Sequence, residues 1–218
     1  MDDLTSRIEP THDIDFLHEI GSRMAAADSL DSILQRILDF IADLVRCDSC
    51  LVYVLEGEQL MLGASKNPHP DLLHRLGLSM GQGITGWVAE HRQTVAISSH
   101  ASTDPRFRMF HDLPEDLYEA FLSVPILCRN RVVGVINIQH RQPHHHTQRE
   151  IRLITTIGFL VGAELELARI ETEKAEMQRQ LETRKLMERA KGILQRQLNV
   201  DEENAYLCLL YTSPSPRD

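Results

Sequence analysis

From Thr147 onward, apolar and small residues recur in alternating steps of three and four: Ile151, Ile154, Gly158, Val161, Leu165, Ala168, Thr172 and Ala175. That spacing is a heptad seam, stronger in its first half than in its second, inside a helical pattern of about 50 residues. A small domain cannot pack a helix of that length along its whole extent. The seam therefore predicts a helix that projects and pairs with a second copy as a parallel homodimer, with Leu165 in the interface.

Ahead of that helix the apolar period changes. Residues 1–10 read as a polar tail ending at Pro10. Thr11 or Asp13 can cap a helix to Ala26, with Ile14, Leu17, Ile20 and Met24 on one face, and Ser29 or Asp31 can cap a second helix to Arg46. The period then becomes two. Cys50–Leu55 and Gln59–Ala64 read as a hairpin about Glu56-Gly57-Glu58. Thr94–Ile97, Phe121–Leu127 and Val132–Ile138 are further strands, the last two joined at Arg129-Asn130. Between them, Pro68 and Pro70 lead into a short helix near Leu72–Leu76, and Leu76-Gly77-Leu78-Ser79-Met80 makes a poor strand. Gly81, Gly83 and Gly86 mark a loop running into a helical turn at Trp87–His91, and a polar loop holds Pro105 and Pro114. The class expected is α+β: an antiparallel sheet with helices on one side, followed by the long helix.

Composition narrows the function. With 218 residues, 42% hydrophobic and 25% charged, the chain can build a packed core in one or two domains. It opens on acidic Met1-Asp2-Asp3 with no apolar run behind, so no secretory leader is expected. The most apolar helical stretch, Ile151–Ala168, is interrupted by Arg152, Thr155, Thr156, Glu164 and Glu166 and will not cross a bilayer. A cytoplasmic protein with no membrane partner is expected, its four cysteines reduced. The net charge of −9 argues against nucleic-acid binding by the chain as a whole. Yet Arg169–Gln197 carries eight bases against five acids, +3, leaving 15 bases against 27 acids, −12, elsewhere. An acidic body with a basic helix suggests two jobs in one chain.

Gly81-Gln82-Gly83-Ile84-Thr85-Gly86-Trp87-Val88-Ala89, Asp104-Pro105-Arg106-Phe107, Val124-Pro125-Ile126 and Val133-Gly134-Val135-Ile136 follow one another as in GAF domains. Residues 11–168 resemble that family, whose fold is PAS-like. The resemblance implies a small-molecule pocket between the sheet and its covering elements, behind the Gly81–Trp87 turn. Trp87, Phe107 and Phe121 are its expected apolar lining. It names neither the ligand nor a cofactor. The glycines also satisfy the dinucleotide fingerprint, but that needs a strand before it, a βαβ unit and an acidic residue after the next strand, whereas Thr94–Ile97 ends in Ser98-Ser99. A structural turn is the expected reading. Cys47-Asp48-Ser49-Cys50 has no second pair for zinc and is read as core packing at a helix end, with redox activity left open. His144-His145-His146 is read as an exposed polar loop rather than a metal site. No nucleophile elbow, Walker loop or His-Glu-x-x-His is present, so no enzyme is expected. The bilin-attachment and cyclic-nucleotide GAF signatures are missing as well.

Arg184-Lys185-Leu186-Met187-Glu188-Arg189-Ala190-Lys191-Gly192-Ile193-Leu194, with Asp201-Glu202-Glu203-Asn204-Ala205-Tyr206 behind it, resembles the opening of an ANTAR domain. The resemblance places a coiled-coil linker at 169–180, a partial ANTAR domain at 181–210 and an atypical tail at 211–218. It implies binding to two-hairpin RNA in nascent transcripts and prevention of termination. At 100° per residue from Lys185, Leu186, Ala190, Ile193 and Leu194 lie at about 80–180°, a face that can dock the next helix. Lys185 and Arg189 lie within about 40° of one another and Arg184 and Lys191 at about 240–260°, outside that face. These four bases are the expected RNA contacts, mainly to phosphates. The family normally continues into a third helix, whereas this chain runs into Pro214 and Pro216, which stop a helix. The alternative is therefore a GAF sensor and dimerisation protein without RNA-binding activity.

Overall fold

The computed structural model describes residues 18, 30–67, 72–73, 75–109, 117–198 and 201–212. Helix α1 (Leu30–Val45) buries Ile33, Leu34, Ile37, Leu38, Ile41 and Val45 along one stripe, as its helical period requires. There follow β1 (Ser49–Glu56), β2 (Gln59–Ser65), β3 (Gly77–Ser79), α2 (Gly83–His91), β4 (Val95–Ile97), a 3-10 turn at Ala101–Thr103, β5 (Ala120–Cys128) and β6 (Arg131–His140). Helices α3 (Gln148–Leu198) and α4 (Glu202–Thr212) complete the order. The strands form one antiparallel sheet in the order β3-β2-β1-β6-β5-β4, an α+β fold. The β5–β6 loop has two residues, Arg129 and Asn130, both left-handed at φ 48 and 63, as a type I′ hairpin demands.

The sheet is covered on both sides, not on one. Cys50, Val52, Leu122, Val124, Ile126, Ile136 and Ile138 pack with α1 and α3. Their strand neighbours Leu51, Tyr53, Phe121 and Val135 point the other way and pack with Ile84, Val88 and Ala89 of α2. The cause is visible in the strands: β1 (Cys50–Leu55) and β5 carry apolar residues at successive positions and so on both faces, and a single helical layer would leave one of them bare. Gly77–Ser79, too polar to read as a strand, is held by pairing with Gln59–Met61 of β2. The helix expected near Leu72–Leu76 is instead a hydrogen-bonded turn, with Leu76 N donating to Leu72 O at 2.9 Å. The helix expected over Thr11–Ala26 lies, apart from His18, outside the described residues, as do residues 213–218.

Helix α3 is 51 residues long. Thr147 caps it in a reciprocal box: Glu150 N donates to Thr147 Oγ1 at 3.2 Å, and Thr147 N donates to Glu150 Oε2 at 2.6 Å. Thr147→Ala should cost about 1 kcal/mol of stability, read as a lower urea midpoint at unchanged slope.

The heptad seam does not have the role predicted for it. Ile154, Val161 and Leu165 are buried in the domain's own core against the sheet. The approach is close: a Cβ on Gly162 would lie 2.5 Å from Leu127 O. The stronger half of the seam is thus intramolecular, which explains why it weakens where the domain ends. The chain divides into two units, Met1–Ala168 and Arg169–Asp218. In the second, Ile170, Met177 and Leu181 are exposed at spacings of seven and four. Asp201 caps α4 by accepting from Asn204 N at 2.9 Å, and Ala205 is fully buried.

Candidate functional site

The glycine turn is built by close contact. Gly81 and Gly83 hold φ 77 and 68, and a Cβ on Gly86 would lie 2.5 Å from Ser79 O. Gly81 N donates to Gly86 O at 2.9 Å, folding the end of β3 onto the first turn of α2. The strands before and after α2, β3 and β4, lie at opposite edges of an antiparallel sheet, so the turn belongs to no βαβ unit and the dinucleotide geometry does not arise.

Trp87, Phe107 and Phe121 come together on the α2 face of the sheet, Phe121 buried and the other two half-buried against the same apolar cluster. The Asp104-Pro105-Arg106-Phe107 motif is a clamp on that cluster. Arg106 donates from Nε and Nη2 to the two Asp104 carboxylate oxygens, each at 2.8 Å, and lies 4.7 Å over the Trp87 ring. The hydrogen bond from Arg106 holds the Asp104 carboxyl below its ordinary value. His91 stacks on Trp87 at 4.2 Å, so the indole already has protein partners.

Composition and spacing gave no sign of the polar groups buried on this face. Ser123 Oγ donates to Asn137 Oδ1 and Asn137 Nδ2 to Thr85 Oγ1, each at 2.7 Å, linking β5, β6 and α2. One strand position beyond on the same face, Gln139 is buried and its Oε1 has no hydrogen-bond partner among the described residues. Asn137→Ala would strand the Thr85 and Ser123 hydroxyls, so a loss of about 1–3 kcal/mol is expected in urea unfolding.

Cys47 and Cys50 are both buried in the core of the opposite face. Their mutual hydrogen bond holds the Cys47 thiol below its ordinary value, and the same bond together with burial pushes the Cys50 thiol well up. The exposed-loop reading of the histidines needs correction. His146 is 4% exposed and His144 half-buried, because the loop after β6 folds back over His140, itself 6% exposed. His145 alone of the run is exposed, beside Ser98 Oγ at 3.3 Å. The signal that could have found the cluster is the His140-x3-His144-x-His146 spacing across a strand end.

On the second unit Arg184, Lys185 and Arg189 are exposed. Lys191 is not grouped with them: its ammonium pairs with Glu188 at 2.9 Å and with Glu202 of α4 at 3.2 Å. The i,i+3 carboxylate on its own helix and the acidic first turn of α4 explain this. The apolar face meant to dock the next helix is covered only in part, with Ala190 and Leu194 half-buried but Leu186 65% and Ile193 47% exposed.

Such a sheet, with a glycine turn feeding one face and a long helix leaving the other, defines an α+β regulatory domain followed in the same chain by a helical module. The GAF domain model matches residues 29–165 and the ANTAR domain model residues 175–213. The chain belongs to the GAF domain family and carries an ANTAR domain behind it, which makes it a GAF-containing signal-transduction regulator with an ANTAR output. It is 24% identical over 165 residues to the Nif-specific regulatory protein of Azospirillum brasilense, covering 72% of this chain and 26% of that one. It is also 24% identical over 156 residues to the phosphoenolpyruvate-dependent phosphotransferase system protein of Salmonella typhimurium, covering 71% and 21%. The chain thus spans about a quarter of the length of these relatives. The GAF domain from a phosphoenolpyruvate-protein phosphotransferase of Coxiella burnetii superposes with a TM-score of 0.68 at 23% identity, covering 74% of this chain and 96% of that one. No helix among the described residues is long and apolar enough to cross a membrane.

Proposed function

We propose that the GAF domain binds a small molecule on the α2 face of its sheet and thereby controls an RNA-binding ANTAR output that acts in transcription antitermination. The observation that carries this reading is the tandem match: one helix, α3, begins within the GAF match and ends within the ANTAR match. The α2 face offers the chemistry of a ligand site, apolar walls with few polar anchors. Trp87, Phe107 and Phe121 supply the walls, and the Gln139 oxygen, without a partner among the described residues, suits a ligand that donates a hydrogen bond. On the output side Arg184, Lys185 and Arg189 serve the phosphates of a two-hairpin RNA, while Lys191 ties α3 to α4. The protein works in the cytoplasm as a regulator without catalytic chemistry, and as a homodimer through Ile170, Met177 and Leu181.

Titration of the protein with a two-hairpin RNA tests this. Salt-dependent binding is expected, and no binding at any salt concentration would remove the RNA part. A second reading, a GAF sensor and dimerisation protein without RNA binding, is favoured by the exposure of Leu186 and Ile193, which leaves the two-helix packing thin.

A further inference from the structure

We propose that His140, His144 and His146 form a binding site for one zinc-class divalent transition-metal ion, joining the end of β6 to the start of α3. This goes beyond the sensor and RNA readings and does not depend on either.

One ring nitrogen from each histidine lies within 4.8 Å of the others. Nε2 of His140, Nε2 of His144 and both ring nitrogens of His146 are buried without any hydrogen-bond partner among the described residues. Orphaned buried polar atoms are rare, because each has given up hydration without a replacement partner. Several converging on one point need a common partner that accepts lone pairs. A cation does this; a water molecule can satisfy only part of the set. Zinc-class ions bind imidazole through a ring-nitrogen lone pair, and these partnerless ring nitrogens are placed to offer theirs.

The surroundings fit a dication. Glu150 is a carboxylate acting on both His140 and His146, while Asp48 and, in the opposite sense, Lys66 act on His140. Asp48 Oδ2 is fixed by the Arg141 backbone N–H at 2.8 Å and Glu150 by the helix-capping box, so both are held in place as outer anions. A cleft of about 330 Å³ lined by Asp48, His140, Arg141, Gln142, Pro143 and His144 provides an entry path. Three imidazoles with one further position open select zinc, copper, nickel or ferrous iron over magnesium or calcium. Tetrahedral zinc sets its nitrogens about 3.3 Å apart, given Zn–N of about 2.0–2.1 Å. The site must therefore tighten. The His140 and His144 rings, stacked at 3.9 Å, have to turn edge-on, a motion open to half-buried His144 in its loop. Closure would pin the loop 141–147 to β6 next to the Thr147 cap.

The test uses the full chain, freed of metal by chelation and titrated with zinc by calorimetry at pH 7.5, with cobalt(II) absorption as a second probe. We expect one zinc per chain, a four-coordinate cobalt spectrum without thiolate character, and a raised thermal midpoint. His144→Ala lies in the loop and leaves the buried pair intact. It should weaken binding by more than the 10–100-fold typical of outer-shell changes and abolish the thermal shift. The Cys47→Ser/Cys50→Ser variant should bind as the parent does. No stoichiometric binding by the parent, equal binding by His144→Ala, or loss of binding only in the cysteine variant would each overturn the proposal.

Discussion

Leu165→Glu is expected to unfold the GAF domain rather than merely dissociate a dimer. Leu165 is 4% exposed and lies in the core with Ile154, Val161, Val124 and Ile126. A carboxylate there has no cationic partner in that cluster, and burying it costs several kcal/mol. That is a large fraction of the roughly 5–15 kcal/mol that hold a domain together. The urea midpoint should collapse, with loss of the cooperative transition. Leu181→Glu, at a position 58% exposed, should leave the midpoint within about 0.5 kcal/mol and weaken self-association in sedimentation. If Leu165→Glu kept full stability and became monomeric, the seam would be intermolecular after all, and the packing of α3 on β5 would be wrong.

The heptad seam shows where sequence pattern is ambiguous. A stripe repeating every three and four residues is the same whether it meets a sheet or a second helix. Gly158 and Gly162 were the distinguishing marks, since small residues permit the close backbone approach seen against Leu127 O. The antiparallel hairpins β1–β2 and β5–β6 and their turns were legible, because period-two runs and φ-demanding turn residues are local signals, whereas the edge strand β3 and the order of the sheet were not. The double-sided cover followed from the same strands but was masked by the expectation of one solvated face. The aromatic trio was legible as a group. The polar network of Thr85, Ser123 and Asn137 was not, because it joins residues 52 and 14 positions apart. The histidine cluster is hidden in the sequence because His140 belongs to a strand end and His144 and His146 to the loop behind it. The pairing of Lys191 with Glu202 was not legible, because helical angle alone cannot reveal a carboxylate that arrives from another helix.

Replacing Arg184, Lys185 and Arg189 together by Ala should weaken RNA binding on the order of tenfold or more at low salt and flatten its salt dependence by about 2 in log–log slope. The slope follows from three phosphate contacts at about 0.7 released counterions each for single-stranded RNA. These side chains are exposed, so the change should leave the fold intact. Lys191→Ala should behave differently. It leaves Glu188 and Glu202 facing one another and loosens α4, with no change in slope. A variant set in which Lys191→Ala alone flattened the slope would contradict the assignment of Arg184, Lys185 and Arg189 as the phosphate contacts.

The direct measurement is a titration of fluorescently labelled two-hairpin RNA at two salt concentrations. It uses this chain with and without the triple Ala substitution. The unsubstituted protein should bind with a steep salt dependence that the triple substitution flattens. No binding by it, or equal and salt-independent binding by both proteins, would contradict an RNA-binding output.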